Sequence, residues 1–356
     1  MNSSDRLKLG IFMPSCRNLM ALSTYKPDPE DWTFESNRRI AVAAENAGFD
    51  FIFPVSRWMG FGGECDFMGD SLETMTWASA LLQSTTTLEV YSTVHVPVFN
   101  PVVAAKMGAT LDHMSGGRWG INIVSGWNKP EFDMMGIEML PHEDRYQRTA
   151  DFITCLKGLW TEEPGSFNFD SKYYKIQGGY SRPQPQRKPH PPIVNAGTSD
   201  DARELVTNHC DVCFICPMTW EDTTEITRDV KERAAKKGRD IKVVASVMCL
   251  WDEDPNWAEQ ERQKLIDGAD HVAIKNWFDV LGVESGSFDH HTYEHFAFTG
   301  GGLPLMGTAQ DIVDGFVKLS ELGLDGILMT FLRYEQDTIR TGTELIPLLR
   351  EAGLRN

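Results

Sequence analysis

GGRWGINIVSGWNKPEF, residues 116–132, opens on a glycine pair, continues as an apolar run interrupted by one amide, Asn122, and breaks at Ser125, Gly126 and Trp127. That order reads as a turn feeding a strand whose far end opens into a site, because the carboxyl ends of strands in a parallel α/β protein are where chemistry sits. Asn122 lies between Ile121 and Ile123, and a buried amide left without hydrogen bonds costs roughly 1 to 3 kcal/mol. Something polar therefore belongs beside it.

Toward the N-terminus the alternation repeats. Asn100 and Pro101 predict a helix start, the amide as cap and the proline in the first turn, with the helix ending at Gly116. Before it, residues 88–94 (LEVYSTV) read as a strand with Thr93 near its end, and residues 71–83 as a helix behind the flexible GFGG at 60–63. Residues 49–55 are a further strand, with Ser56 and Arg57 at its end, and residues 33–46 a helix stopped by Gly48. The first strand is residues 7–13, and residues 15–32 read as loop.

Toward the C-terminus, residues 142–160 predict a helix, 166–176 a hairpin, and the proline-rich 181–192 a stiff connector. Residues 193–196, 212–215 and 242–250 read as strands, with helices opening after Ser199 and at about 220 and 255. Residues 269–302 match no regular period, which in an α/β barrel suggests a lid or an oligomer contact. Thr308 and Asp311 form a capping box for a helix ended by Gly323, residues 325–331 are the eighth strand, and a last helix spans 336–351. Alternating strands and helices with short turns mean a parallel sheet. With no repeat and no linker in view, one barrel domain over 1–356 with an insertion at 269–302 is expected.

A chain that is 41% hydrophobic can bury a large core, and a net charge of −17 repels nucleic acid and anionic membranes as general partners. No run reaches the roughly 18 apolar residues of a membrane span, so a cytoplasmic protein is expected. Seven scattered cysteines do not form a disulfide framework. Cys210, Cys213 and Cys216 have the spacing of a metal motif, but on a strand they read as three buried small apolar residues. His290, His291 and His295 could hold zinc only on a helix, whose period is not evident there; no metal is expected.

Gly197, Thr198 and Ser199 stand at a strand-to-helix turn, where free N–H groups and the helix dipole favour phosphate, although tight turns need such residues in any case. Trp58, Phe61, Phe67, Trp127 and Phe331 fall at strand ends and suggest an apolar pocket for a flat ring. No Ser-His-Asp spacing, P-loop or GxGxxG is present, so the site looks made for a cofactor that does its own chemistry.

The stretch 116–132, together with HEDRYQR (142–148), RPQPQRKPHPPI (182–193) and NAGTSDDAR (195–203), resembles the bacterial luciferase-like flavin monooxygenases. The resemblance covers nearly the whole chain and is nearest to the branch of pyrimidine, dimethyl sulfone and dibenzothiophene sulfone monooxygenases. It implies a (β/α)8 TIM barrel with insertions, reduced FMN delivered by a separate flavin reductase, O2 as co-substrate and a homo-oligomer. By matching position it places Ser56, Arg57, Asn122 and Glu131 at the flavin, and Arg145, Tyr146 and Ser199 at its phosphate end. Thr93 and Asn122 would form an oxygen pocket walled by Trp127, where a flavin peroxide would attack an electrophilic carbon. Arg57 stands where the pyrimidine enzymes commonly carry lysine, and its planar fork is a different ligand. A pyrimidine or related heterocycle is the first substrate reading and an organosulfur compound the next. A deazaflavin-dependent oxidoreductase and a non-catalytic flavin-binding subunit are the rivals; the Thr93–Asn122 pair counts against the first, and retention of the phosphate ligands against the second.

Overall fold

The computed structural model describes residues 6–254, 256–282 and 290–356, with side chains resuming at 293 in the last segment. Its strands are β1 (Lys8–Met13), β2 (Phe51–Pro54), β3 (Glu89–His95), β4 (Trp119–Val124), β5 (Phe167–Asp170), β6 (Lys175–Gly179), β7 (Ile193–Asn195), β8 (Val212–Ile215), β9 (Lys242–Trp251), β10 (Leu303–Gly307) and β11 (Gly326–Thr330). Parallel pairing runs from β1 through β2, β3, β4, β7, β8 and β9 to β11, and β11 pairs back to β1, closing an eight-stranded barrel. The antiparallel hairpin β5–β6 lies outside it, as the sequence predicts.

The helices are α1 (Phe34–Ala47), α2 (Thr74–Ser84), α3 (Pro101–Ser115), α4 (Lys129–Met134), α5 (His142–Thr161), α6 (Asp200–His209) and α7 (Trp220–Lys236). They continue with α8 (Trp257–Asp267), α9 (His271–Leu281), α10 (His290–Thr299), α11 (Ala309–Glu321), α12 (Tyr334–Arg340) and α13 (Ile346–Glu351). Their ends follow local chemistry. Thr33 and Asn100 accept from Ser36 N–H and Val102 N–H, Gly48 and Gly116 take the left-handed conformation, and Thr308 and Asp311 make a reciprocal capping box.

Strand alternation sorts the core into two layers. Leu9, Ile11, Val90, Trp119 and Ile121 face outward into the packing between strands and helices. Phe12, Phe51, Phe53, Tyr91, Val194, Phe214 and Leu328 fill the barrel. Phe53 is wedged between Tyr91 and Phe214, with ring centroids at 5.6 and 5.2 Å, and burying each such ring contributes roughly 1.5 to 3 kcal/mol. Gly120 leaves room for the neighbouring Tyr91 ring, which a Cβ there would meet at 2.3 Å. One layer above this aromatic plug, Thr93 and Asn122 sit side by side in register on β3 and β4.

Three expectations need correction. The described parts of residues 269–302 are largely helical: Asp270 caps α9 by accepting from Val272 and Ala273 N–H, left-handed Gly282 stops it, and α10 follows at His290–Thr299. A ninth parallel strand, β10, pairs Leu303 with Val247 and Gly307 with Trp251. It takes the upper part of the β9 edge whose lower part is held by β8, from Val212↔Lys242 to Ile215↔Ala245. The last helix is also not continuous, because Thr341–Leu345 is a π-turn just before Pro347, which has no N–H to donate to the ladder.

Candidate active site

At the carboxyl ends of the barrel strands lies a cavity of about 510 Å3. It is lined by Ser56, Arg57, Thr93, Asn122, Trp127, Arg145, Tyr146, Thr198 and Ser199, nine of the residues singled out from sequence. Glu131 stands behind Arg57 rather than on the wall, and Gly197 keeps the turn tight, a Cβ there meeting Ala202 at 2.5 Å. His95, Asn195, Cys216, Trp277 and Leu281 line the cavity as well, without having been anticipated.

The floor is set by hydrogen-bond direction. A carbonyl only accepts, so the Thr93 hydroxyl donates to Pro54 O at 2.8 Å, and Asn122 must therefore turn its amide nitrogen to Thr93 Oγ1, at 3.2 Å. The Thr74 hydroxyl fixes the same point of β3, donating to Thr93 O and accepting from Thr93 N–H. Asn195 commits its amide nitrogen to Ile123 O at 2.6 Å. The oxygens Oδ1 of Asn122 and Asn195 are buried with no hydrogen-bond partner among the described residues, so ligand donors suit them.

On one side, Arg57 lies over the Trp127 ring at 4.7 Å and reaches Glu131 Oε1 at 3.4 Å. The same oxygen accepts from the N–H groups of Trp58 at 2.8 Å and Met59 at 3.3 Å, tying the turn after β2 to the start of α4. Glu131 Oε2 faces His95 Nδ1 at 3.9 Å. Burial, and then the Arg57 charge, push His95 down to about 3, so it is neutral at physiological pH.

At the other end, Ser199 caps α6 by accepting from Ala202 N–H and donates to the Tyr146 hydroxyl at 3.2 Å. Arg145 reaches in from α5 with one guanidinium nitrogen on Gly126 O. A helix N-terminus, an arginine and two hydroxyls converge here, groups able to donate to an anion, with Asp200 and Asp201 in the first turn of the same helix. Gly126 is left-handed, at φ 91°, and a Cβ on it would meet the Phe132 ring at 2.4 Å, so the turn below Arg145 requires glycine.

The remaining wall is aromatic. Trp277 of α9 packs against Trp127 at 5.4 Å and Phe61 at 4.6 Å, so the segment after 269 does border the cavity. Phe61 and Phe67 lie behind Trp277, and Phe331 is buried against Trp251 and Tyr334 away from the cavity. Asp270 and Asn276 hold α9 to the turn at 61–65, accepting from Cys65 N–H and donating to Phe61 O. Of the three spaced cysteines, Cys210 and Cys213 are buried, but Cys216 is exposed beyond the end of β8, where it meets the cavity instead of the core. The side chains of His290 and His291 lie outside the described residues.

A period-two reading from Thr93 would have found His95, two residues on and on the same strand face. Asn195 could have been found as the last residue of its strand. Trp277 had no such signal, because its helix was not recognised.

Comparison with known proteins places the chain by sequence and by fold. The chain is 29% identical over 358 residues to an FMNH(2)-dependent dimethylsulfone monooxygenase of Pseudomonas putida, covering 98% of this chain and 96% of that one. It is also 29% identical to pyrimidine monooxygenase RutA of Rhizobium rhizogenes, covering 97% and 96%. Among solved structures, DmoA from Hyphomicrobium sulfonivorans superposes with a TM-score of 0.87 at 18% identity, covering 99% of this chain and 89% of that one. The riboflavin lyase RcaE superposes at 0.86 and 24% identity, covering 99% and 93%. Residues 7–326 match the family described as luciferase-like monooxygenase, and the chain belongs to that family.

Proposed function

We propose that this chain is a two-component monooxygenase that takes reduced FMN from a separate flavin reductase, uses O2, and oxygenates a small electron-poor substrate. A pyrimidine or related heterocycle is the first reading, and a sulfone or other organosulfur compound the second. The observation that carries it is the division of one cavity into an anion end at Ser199, Tyr146 and Arg145, an aromatic middle at Trp127 and Trp277, and a polar floor at Thr93 and Asn122. The names of two full-length relatives, one acting on dimethylsulfone and one on a pyrimidine, support both substrate readings equally.

The residues fit reduced FMN on their own chemistry. The α6 N-terminus, Ser199, Arg145 and Tyr146 would hold its phosphate, with Thr198 and Gly197 shaping the turn. The orphaned oxygens of Asn122 and Asn195 would receive donors from a ring above the floor. When bound, reduced FMN supplies the two electrons that let one atom of O2 enter the substrate while the other leaves as water. The chain itself orients the reactants: Thr93 and Asn122 fix the polar edge, Trp127, Trp277 and Leu281 exclude water, and Arg57, braced by Glu131 and Ser71, holds the wall beside Ser56. Helix α9 would act as the inner face of a lid over substrate.

The test is a single turnover of protein, pre-reduced FMN and uracil with isotopically heavy oxygen, read by mass spectrometry. A labelled ring-opened product supports the heterocycle reading. Oxidation of FMN without product, followed by a labelled product from dimethyl sulfone, supports the second. Failure to bind reduced FMN refutes both.

A further inference from the structure

His95 is 2% exposed, ends β3 and lines the cavity two residues beyond Thr93, yet nothing in the proposed chemistry uses it. Its Nδ1 and Glu131 Oε2 are both buried and both lack a hydrogen-bond partner among the described residues, and they face each other across 3.9 Å. Oε1 of the same carboxylate is already engaged by Arg57 and two backbone N–H groups, so Oε2 is the oxygen left over. A carboxylate only accepts, so the nitrogen turned to it must carry the hydrogen, and a ring shift of about 1 Å closes the hydrogen bond. The charged groups around the imidazole are Arg57 from the turn after β2 and Glu131 from α4; Phe132 covers it edge-on at 6.1 Å. Buried and beside a guanidinium, the ring stays neutral. A neutral imidazole with its hydrogen on Nδ1 has a lone pair on Nε2, on the ring edge away from Glu131.

We propose that Glu131 holds His95 in the Nδ1–H form, and that Nε2 is a hydrogen-bond acceptor for a ring N–H in the cavity, selecting N–H-bearing ligands over acceptor-only ones. The floor around it agrees, since Asn122 Oδ1 and Asn195 Oδ1 are buried acceptors without partners lining the same cavity. This inference rests on reading the cavity as the flavin and substrate site, and within it favours a lactam or imide heterocycle over a sulfone. His95 contacts the ligand and Glu131 is a positioning residue acting through it. The N–H could belong to the substrate or to the flavin's own ring, and the experiment separates the two.

The experiment is nitrogen NMR of histidine-labelled full-length protein, the His95 signals being identified by their loss in His95→Leu. Expected are an Nδ1–H tautomer with no protonation between pH 8 and 5, and loss of that tautomer preference in Glu131→Gln. A shift of Nε2 on adding oxidised FMN assigns the donor to the flavin. A shift only when uracil joins FMN, absent with 1,3-dimethyluracil, assigns it to substrate. The probe that shifts Nε2 should bind about tenfold more weakly to His95→Leu, whereas His95→Gln, which keeps an acceptor near the Nε2 position, should lose less than threefold. An Nε2–H tautomer, ordinary titration near pH 6.5, no shift with any probe, or equal losses in both variants overturns the proposal. The tautomer is read on the free protein, so it decides the His95–Glu131 pair whether or not the chain turns over uracil.

Discussion

Truncating Glu131 should be among the most destabilising single changes in this chain. Its side chain is fully buried, Arg57 is 6% exposed, and one carboxylate oxygen accepts from the guanidinium and from the N–H groups of Trp58 and Met59. Glu131→Ala leaves a buried cation and two backbone donors unanswered, and breaking a buried pair from one side typically costs about 3 to 5 kcal/mol. With an unfolding entropy of roughly 2.1 cal/mol/K per residue, a chain of 356 residues loses about 1.3 °C of Tm per kcal/mol, so the expected fall is about 4 to 7 °C. Guanidinium titration gives the free energy directly, and a thermal scan gives the shift. The double variant Arg57→Met, Glu131→Leu removes the stranded charge and should recover about 2 kcal/mol relative to the sum of the single changes. A loss under 1 kcal/mol in Glu131→Ala, or a double variant that falls by the full sum, would show that Arg57 is carried by its contact with Trp127 and not by the carboxylate.

Thr93→Ala and Asn122→Ala should each abolish product, with FMN affinity kept within about threefold in Thr93→Ala; unchanged product yield in both removes them from the oxygen pocket. Ser199→Ala loses the α6 cap and the Tyr146 contact, so about 1 kcal/mol of stability should go, and FMN should bind roughly tenfold more weakly while riboflavin binding is unchanged. Equal weakening of both flavins would place the phosphate elsewhere. Gly126→Ala sets a Cβ 2.4 Å from the Phe132 ring at φ 91°, and a cost above about 2 kcal/mol in guanidinium titration is expected. His95, held at about 3 in the fold against about 6.5 unfolded, contributes stability that is complete above pH 6.5 and is lost as pH falls toward 3, because the unfolded chain takes the proton first. The stability of wild type relative to His95→Leu should therefore decline over that window; parallel curves would show an unperturbed histidine.

Most of the barrel was readable because each element carries its own local signal. Caps at Asn100 and Thr308 and left-handed stops at Gly48 and Gly116 fall where the residues predict them, and Ser199 is the one of the two candidates, Thr198 and Ser199, that caps α6. The strands are apolar runs of parallel type, which need no long-range information to recognise. The site was readable where an oddity stood out, as Asn122 does within an apolar strand. What escaped depends on tertiary pairing. β10 (LPLMG) contains a proline and follows three glycines, Gly300–Gly302, and only the free upper edge of β9 makes it a strand. α9 was hidden because Asp270 serves two elements at once, capping its helix and receiving Cys65 N–H from a turn some 205 residues away in sequence. The reading of Cys216 went wrong for a related reason: it follows the end of β8 at Ile215 on the parity of Phe214, the barrel-facing side, and there the barrel opens into the cavity.

The shared edge of β9 bears on how such a protein can change. The chain leaves the barrel at Trp251 and comes back at Leu303, beside Val247 of the strand it left. Everything between is a closed excursion, since its two ends are fixed to one strand while the eight-strand ring closes without it. Changes of length in the connections there need not alter the strand pairing of the ring, although Ala258, Leu265, Ile274 and Phe298 pack in cores shared with it. Loop closure charges such changes only logarithmically in length, about 0.6 kcal/mol for each doubling. Trp277 and Leu281, on this excursion, face a cavity whose floor comes from the ring strands and whose far end comes from α5 and the start of α6. Ligand preference on that side can therefore change through Trp277 and Leu281 while the ring keeps its closure, provided the ties of Asp270 and Asn276 to residues 61–65 are kept.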